Sequence, residues 1–278
     1  MLLDKPAGIT SHDAVQRVRR VFRTRAVGHT GTLDPFATGL LVALVGRATR
    51  LARFVEGQAK TYVAEARLGF ATDTDDLTGT PVAEPVAVEA SAAEVRDALE
   101  TFRGRQEQRP PAFSAKHVGG ERSHRLARRG AAVELPPVPV EVTAIELLEL
   151  TGDRVRFRVT VSAGTYVRAI ARDLGERLGC GAHLVALRRE RIGRLNVADA
   201  VPLDALGSDT PLLPPEAVLP DLPMRVLDGA EADAVRHGRA IPGAAHAGTV
   251  GLVREGALLA IGEAADGTIH PRVVLEGA

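Results

Sequence analysis

Apolar and polar positions follow two rhythms along this chain, and each change of period marks an element. Leu2–Lys5 reads as a short strand. In TSHDAVQRVRRVF, Val15, Val18 and Val21 with Phe22 form one helical stripe, with Thr10 or Ser11 as the N-cap. LLVALVG is a continuous apolar run of strand length, and ATRLARFVEG reads as a short helix. KTYVAEARLG alternates, with Tyr62, Ala64, Ala66 and Leu68 on one face of a strand. SAAEVRDALETFRG opens on a capping box, Ser91 three residues before Glu94. EVTAIELLEL and RVRFRVTVSA form a strand pair joined at Gly152-Asp153. GTYVRAIARDLGERLG is helical, and AHLVALRRERIG is a strand.

Three stretches break the rhythm. TDTDDLTG reads as an acidic, turn-rich loop. Residues 105–139 set a basic middle between proline clusters with few large apolar residues, the mark of a protruding segment rather than core. A proline-rich bridge, LGSDTPLLPPEAVLPDLP, leads into a tail with one helical stretch, GAEADAVRHG, and several strand-like runs. Helices and strands alternate irregularly around a hairpin, so the expected class is α+β with a mixed or antiparallel sheet. The expected division is 1–222, carrying an insertion at about 105–139, and a small β-rich domain at 223–278.

Composition refines this picture. At 278 residues with 45% hydrophobic positions the chain can bury a sizeable core. Trp is absent and there are 7 Phe and 2 Tyr, so that core must be mainly Leu, Val, Ile and Ala. No run approaches the roughly 18 apolar residues of a membrane span, and no signal segment opens the chain, so a cytoplasmic protein is expected. The lone Cys180 can form neither an internal disulfide nor a multi-cysteine metal site, and reads as a small buried residue near a helix end.

The formal net charge is zero, yet its distribution is uneven. Residues 1–60 hold ten basic against four acidic residues and 101–130 eight against two, each a net +6, whereas 61–100 and 201–278 are net acidic. Such asymmetry can build a basic face for phosphates on a neutral protein.

The most unusual stretch is GHTGTLDPFATGLL, which sets one carboxylate, Asp34, among glycines, threonines and a proline. Such a loop can be a turn fixed for backbone reasons alone. A phosphate cradle lacks its GxxxxGK[ST] lysine and any GxGxxG. The remaining reading makes Asp34 a positioned nucleophile or general base, because stiff backbone orients the acid while small side chains admit a substrate.

Together with LLDKPAGITSHDAV, KTYVAEARLGFATDTDD and SAGTYVRAIARDLGERLGCGAHLVALRR, this loop resembles the TruB family of tRNA pseudouridine synthases, in order and spacing, over residues 1 to about 195. The resemblance implies the pseudouridine synthase fold with a PUA-like C-terminal domain. It implies conversion of uridine 55 in the T-arm loop of tRNA to pseudouridine, on a flipped-out nucleotide, without metal, ATP or organic cofactor.

Residue by residue, Asp34 matches the family's catalytic aspartate, which attacks sugar or base or takes a sugar proton. Tyr62 matches the tyrosine against the target base, and Arg168 the arginine paired with the aspartate. His29 matches the histidine that fills the space left by the extruded nucleotide, and Leu187 an apolar wall of the uracil pocket. Lys5 matches a lysine that supports the site, binds phosphate or anchors a strand. The insertion, with Arg122, Arg125, Arg128 and Arg129, is expected to close over the T loop. It departs from the family pattern at Lys116, His117 and His124. The implied partner is tRNA, with no membrane and no obligatory protein partner, and the implied state is a monomer. The alternatives are a guide-RNA-dependent pseudouridylase and an RNA chaperone that mainly folds tRNA.

Overall fold

The computed structural model describes residues 1–114, 117–118, 121–123, 129, 135–243 and 247–275. In chain order the elements begin β1 (Leu2–Lys5), α1 (Ser11–Val21), β2 (Val27–Thr30), β3 (Thr38–Val45), α2 (Ala52–Glu56), β4 (Lys60–Leu68), α3 (Ala92–Glu100) and β5 (Gly104–Gln108). They continue with β6 (His117–Val118), β7 (Glu121–Arg122), β8 (Val138–Thr151), β9 (Arg154–Val161), α4 (Val167–Arg177), β10 (Ala182–Ile192), β11 (Leu195–Asn196) and β12 (Val201–Pro202). Last come β13 (Met224–Val226), α5 (Gly229–Arg236), β14 (Ile241–Pro242), β15 (Gly248–Arg254), β16 (Ala257–Ala265) and β17 (Thr268–Val274). No helix among the described residues is long and apolar enough to cross a membrane.

The chain forms two compact units, one of Met1–Pro35, Leu41–Gly57 and Arg194–Ala278, the other of Phe36–Leu40 and Gln58–Gly193. In the first unit α1 starts at Thr10, whose side chain accepts from the Asp13 N–H while the Asp13 carboxylate accepts from the Thr10 N–H. This reciprocal cap settles the choice between Thr10 and Ser11. Ala14, Val15 and Val18 of the helix bury against Met1, Leu3, Val27, Leu41, Ala43, Leu203 and Leu206. Each buried valine contributes roughly 1.5–3 kcal/mol, so the stripe rather than local propensity holds α1 in place. β2 runs antiparallel to β3, Thr30 opposite Val42, and β1 runs parallel to β12. The tail of this unit is a five-stranded sheet in the order β13-β15-β16-β17-β14, with α5 packed on its apolar face through Ala232 and Val235.

The second unit is built on strands in the order β10-β4-β9-β8-β5, every neighbour antiparallel. The first residues of β3 join it parallel to β10, pairing Thr38 with Arg188 and Gly39 with Arg189, which makes the sheet mixed. Alternate residues of β4 from Lys60 to Leu68 are buried, as the period of two requires. Gly39 is where a side chain is forbidden: its φ is +101°, and a Cβ there would sit 2.3 Å from the Arg189 carbonyl oxygen. α4 packs on β10 and α3 on β8.

The stretch 105–139 is partly sheet. Gly104–Gln108 pairs with Val138–Val142, so its two ends are stitched together at the sheet edge. GRQEQ has no apolar alternation to reveal a strand, because an edge strand needs only backbone pairing. β6 and β7 form a two-residue ladder within the stretch, His117 opposite Arg122. Cys180 is half-buried rather than buried.

Candidate active site

Asp34 belongs to the first unit, and the residues on both sides of it are tied down. The Leu33 N–H donates to Ser11 Oγ at 2.9 Å, and Ser11 Oγ donates to the Leu33 carbonyl at 3.2 Å. On the other side, the Pro35 carbonyl accepts from the Gly8 N–H at 2.8 Å and from Lys5 Nζ at 3.4 Å. Lys5 is wholly buried and also donates to the Pro6 and Ile9 carbonyls, so its ammonium knits the loop to β1. Gly31 takes φ +73°, Leu33 is buried, and Asp34 is half-buried. Such a frame holds the backbone on both sides of Asp34 in place. His29, half-buried on β2, lies opposite Ala43.

In the second unit the antiparallel register puts Tyr62 opposite Arg189 and Leu187 opposite Ala64. Tyr62 and Leu187 are therefore diagonal neighbours on one sheet face, within side-chain reach, and both are nearly buried. Arg189 is 1% exposed and donates through Nε to the Leu40 carbonyl at 2.7 Å, securing the start of β3.

Arg168 stands in the first turn of α4. Its Nη1 donates to Asp76 Oδ2 and to the Thr74 carbonyl, both at 3.1 Å, and its Nη2 donates to the Phe113 carbonyl at 2.9 Å. Asp76 Oδ1 accepts from Thr74 Oγ1, Thr78 N–H and Thr78 Oγ1, so the partner carboxylate is itself immobilised. One turn along the helix, Arg172 Nη1 donates to Asp75 Oδ2 at 2.9 Å and Nη2 to the Arg109 carbonyl at 3.1 Å. Two arginines spaced i, i+4 thus take consecutive aspartates, and both grip carbonyls inside the 105–139 stretch, those of Phe113 and Arg109. Asp75 adopts φ +59°.

The Asp75, Asp76 and Arg172 set was missed in the sequence, where TDTDDLTG reads only as an acidic, turn-rich loop. The available signal was an acidic pair against an RxxxR helix. Of the insertion arginines, Arg125 and Arg128 lie outside the described residues, Arg122 is placed by its backbone in β7, and Arg129 is exposed in a turn. No group of three or more metal-ligating side chains gathers among the described residues.

Burial pushes the Asp75 carboxyl up to about 6, against the pull of Arg172 and Arg168. The folded chain therefore binds this proton more tightly than the unfolded one, whose carboxyl titrates near 3.8. This group's contribution to stability is full below that lower value and is lost as pH rises through about 6. Asp75→Asn should flatten that part of the profile: urea unfolding between about pH 4 and 6 should show the wild type losing up to roughly 1.4 kcal/mol per pH unit more than the variant. Parallel profiles would mean that Asp75 does not titrate there.

The family model for TruB family pseudouridylate synthase, N-terminal domain, matches residues 19–167. The chain belongs to the TruB family. A tRNA pseudouridylate synthase B C-terminal domain model matches 168–211, and a TruB C-terminal model matches 223–275. A protein of Solibacter usitatus (strain Ellin6076) named tRNA pseudouridine synthase B is 44% identical over 289 residues, covering 99% of each chain. One of the same name from Thermobifida fusca (strain YX) is 44% identical over 291 residues, covering 100% of this chain and 98% of that one. Among solved structures, a chain of the archaeal box H/ACA sRNP Nop10-Cbf5 complex superposes with a TM-score of 0.72 at 25% identity. That match covers 99% of this chain and 85% of the other. A Cbf5-Nop10-Gar1 complex gives 0.74 at 25% identity, covering 99% and 84%. The TruB fold, a mixed sheet with flanking helices and a β-rich C-terminal part, is thus the fold of this chain.

Proposed function

We propose that this TruB-family chain isomerises uridine 55 in the T-arm loop of tRNA to pseudouridine, with Asp34 as the carboxylate that acts on a nucleotide swung out of the loop. The N-glycosidic bond breaks, the uracil turns, and a carbon–carbon bond forms, so nothing is gained or lost and the enzyme is an isomerase. The observation that carries the reading is the bracing of Leu33 and Pro35, which leaves the carboxylate between them on an immobile backbone. Tyr62 and Leu187, paired diagonally on their sheet, supply an aromatic and an apolar wall for a base. In this reading Arg168 serves as the cationic partner of that acid.

Extruding a base costs a few kcal/mol, which phosphate contacts to Arg122, Arg125, Arg128 and Arg129 offset. His29 fills the space left behind, and Lys5 supports the loop. Residues 1–222 act as the catalytic portion and 223–278 as a small PUA-like module. The match to relatives named tRNA pseudouridine synthase B favours an enzyme that acts directly on tRNA over a guide-dependent one; in this reading it works as a monomer in the cytoplasm.

Chemical mapping of pseudouridine in tRNA from cells lacking the protein tests this. Position 55 should be unmodified and should regain pseudouridine when the wild-type chain is restored. A normal position 55, with another uridine unmodified, would overturn the assignment.

A further inference from the structure

Arg17, Arg19, Arg20, Arg23 and Arg25 fall within nine residues at the C-terminal end of α1, and the chemistry above uses none of them. Elsewhere on this neutral chain several arginines pair with acids: Arg67 with Asp153, Arg154 with Glu65, Arg158 with Glu190, Arg225 with Glu231. Among the described residues none of the five forms an ion pair. Asp13, the one acid of α1, is committed to the cap at the opposite end. The carbonyl end of a helix favours one or two cations, and five exceed that need.

Four of these arginines, with Gln16 and Thr24, line an open cleft of about 480 Å³. Arg19 anchors one side through Nη2 to the Val27 carbonyl at 2.9 Å, while its Nε is buried with no partner among the described residues. The helix end adds an independent observation. The Thr24 N–H donates to the Arg19 carbonyl at 3.2 Å, the closing bond of a glycine-type helix stop, yet the left-handed position is Arg23 at φ +50°. An arginine stands where backbone geometry prefers glycine.

The other end of α1 carries Ser11, bonded to Leu33 beside Asp34. Eleven helical residues place the cleft about 16 Å from that junction, or about five nucleotide steps of a helical strand. We propose that this cleft is a second phosphate-binding site for the RNA substrate. It takes the sugar–phosphate backbone of the strand that runs on from the nucleotide held at Asp34, and it rests on the reading of tRNA as substrate. Guanidinium forks match phosphate oxygens bidentately, and a polyanion relieves the mutual repulsion of the cluster.

The test is steady-state pseudouridine formation on tRNA by Arg20→Gln/Arg23→Gln. KM should rise about tenfold with kcat unchanged, and the slope of log KM against log salt should fall by about 1.5–2. Arg20→Lys/Arg23→Lys should recover most of the loss. Arg23→Gly alone should raise Tm by about 2 °C while still raising KM, an opposition that a purely structural residue would not produce. Unchanged KM and salt slope in the double Gln variant, with pseudouridine still formed, would overturn the cleft and leave the tRNA reading standing. A wild-type enzyme inactive on tRNA would instead overturn that reading.

Discussion

Asp34→Asn should bind tRNA about as well as the wild type and make no measurable pseudouridine, a fall in kcat on the order of 10⁴-fold or more. Asparagine has nearly the same shape but cannot carry the negative charge, so every chemical role open to Asp34 is lost at once. The loop should stand unchanged, because Ser11, Gly8 and Lys5 hold the backbone of Leu33 and Pro35 rather than the side chain between them. Binding is measured by filter retention and product by release of label from uridine. A variant that modifies tRNA at the normal rate would remove Asp34 from the chemistry.

Asp76→Ala should be the most damaging change outside the Asp34 loop. Arg168 and Asp76 have side chains only 7% and 6% exposed, so deleting the carboxylate strands a guanidinium in the interior. Breaking a buried pair by removing one partner costs about 3–5 kcal/mol. The variant should melt on the order of 10 °C lower. Thr74 and Thr78 also lose their shared acceptor, which loosens the turn that presents Asp75. Because Arg168 would lose its carboxylate partner and keep only carbonyl acceptors, kcat should fall more than KM rises. Asp76→Asn keeps an acceptor for Thr78 and should lose less stability than Asp76→Ala. An unchanged melting temperature for Asp76→Ala would show that the pair contributes nothing net.

Much of the fold was legible because its signals are local. The valine stripe of α1, the alternation of β4 and the Gly152 turn each report a periodicity or a φ angle that neighbouring residues decide among themselves. The Asp34 loop was legible as well, because four stretches of recognisable order surround it. β5 escaped notice because its pairing with β8 uses only backbone groups, which leave no trace in side-chain pattern.

By itself the sequence determined most of the elements and the family, both of which depend on short-range spacing. Only the tertiary structure decided which charges would be buried together. Asp76 finds Arg168 from 92 residues away and Asp75 finds Arg172 from 97, while Lys5 spends its ammonium on the Pro35 carbonyl rather than on solvent. The reason is physical: an ion's partner is chosen by the cost of desolvating it, and that cost exists only once the chain has closed around it.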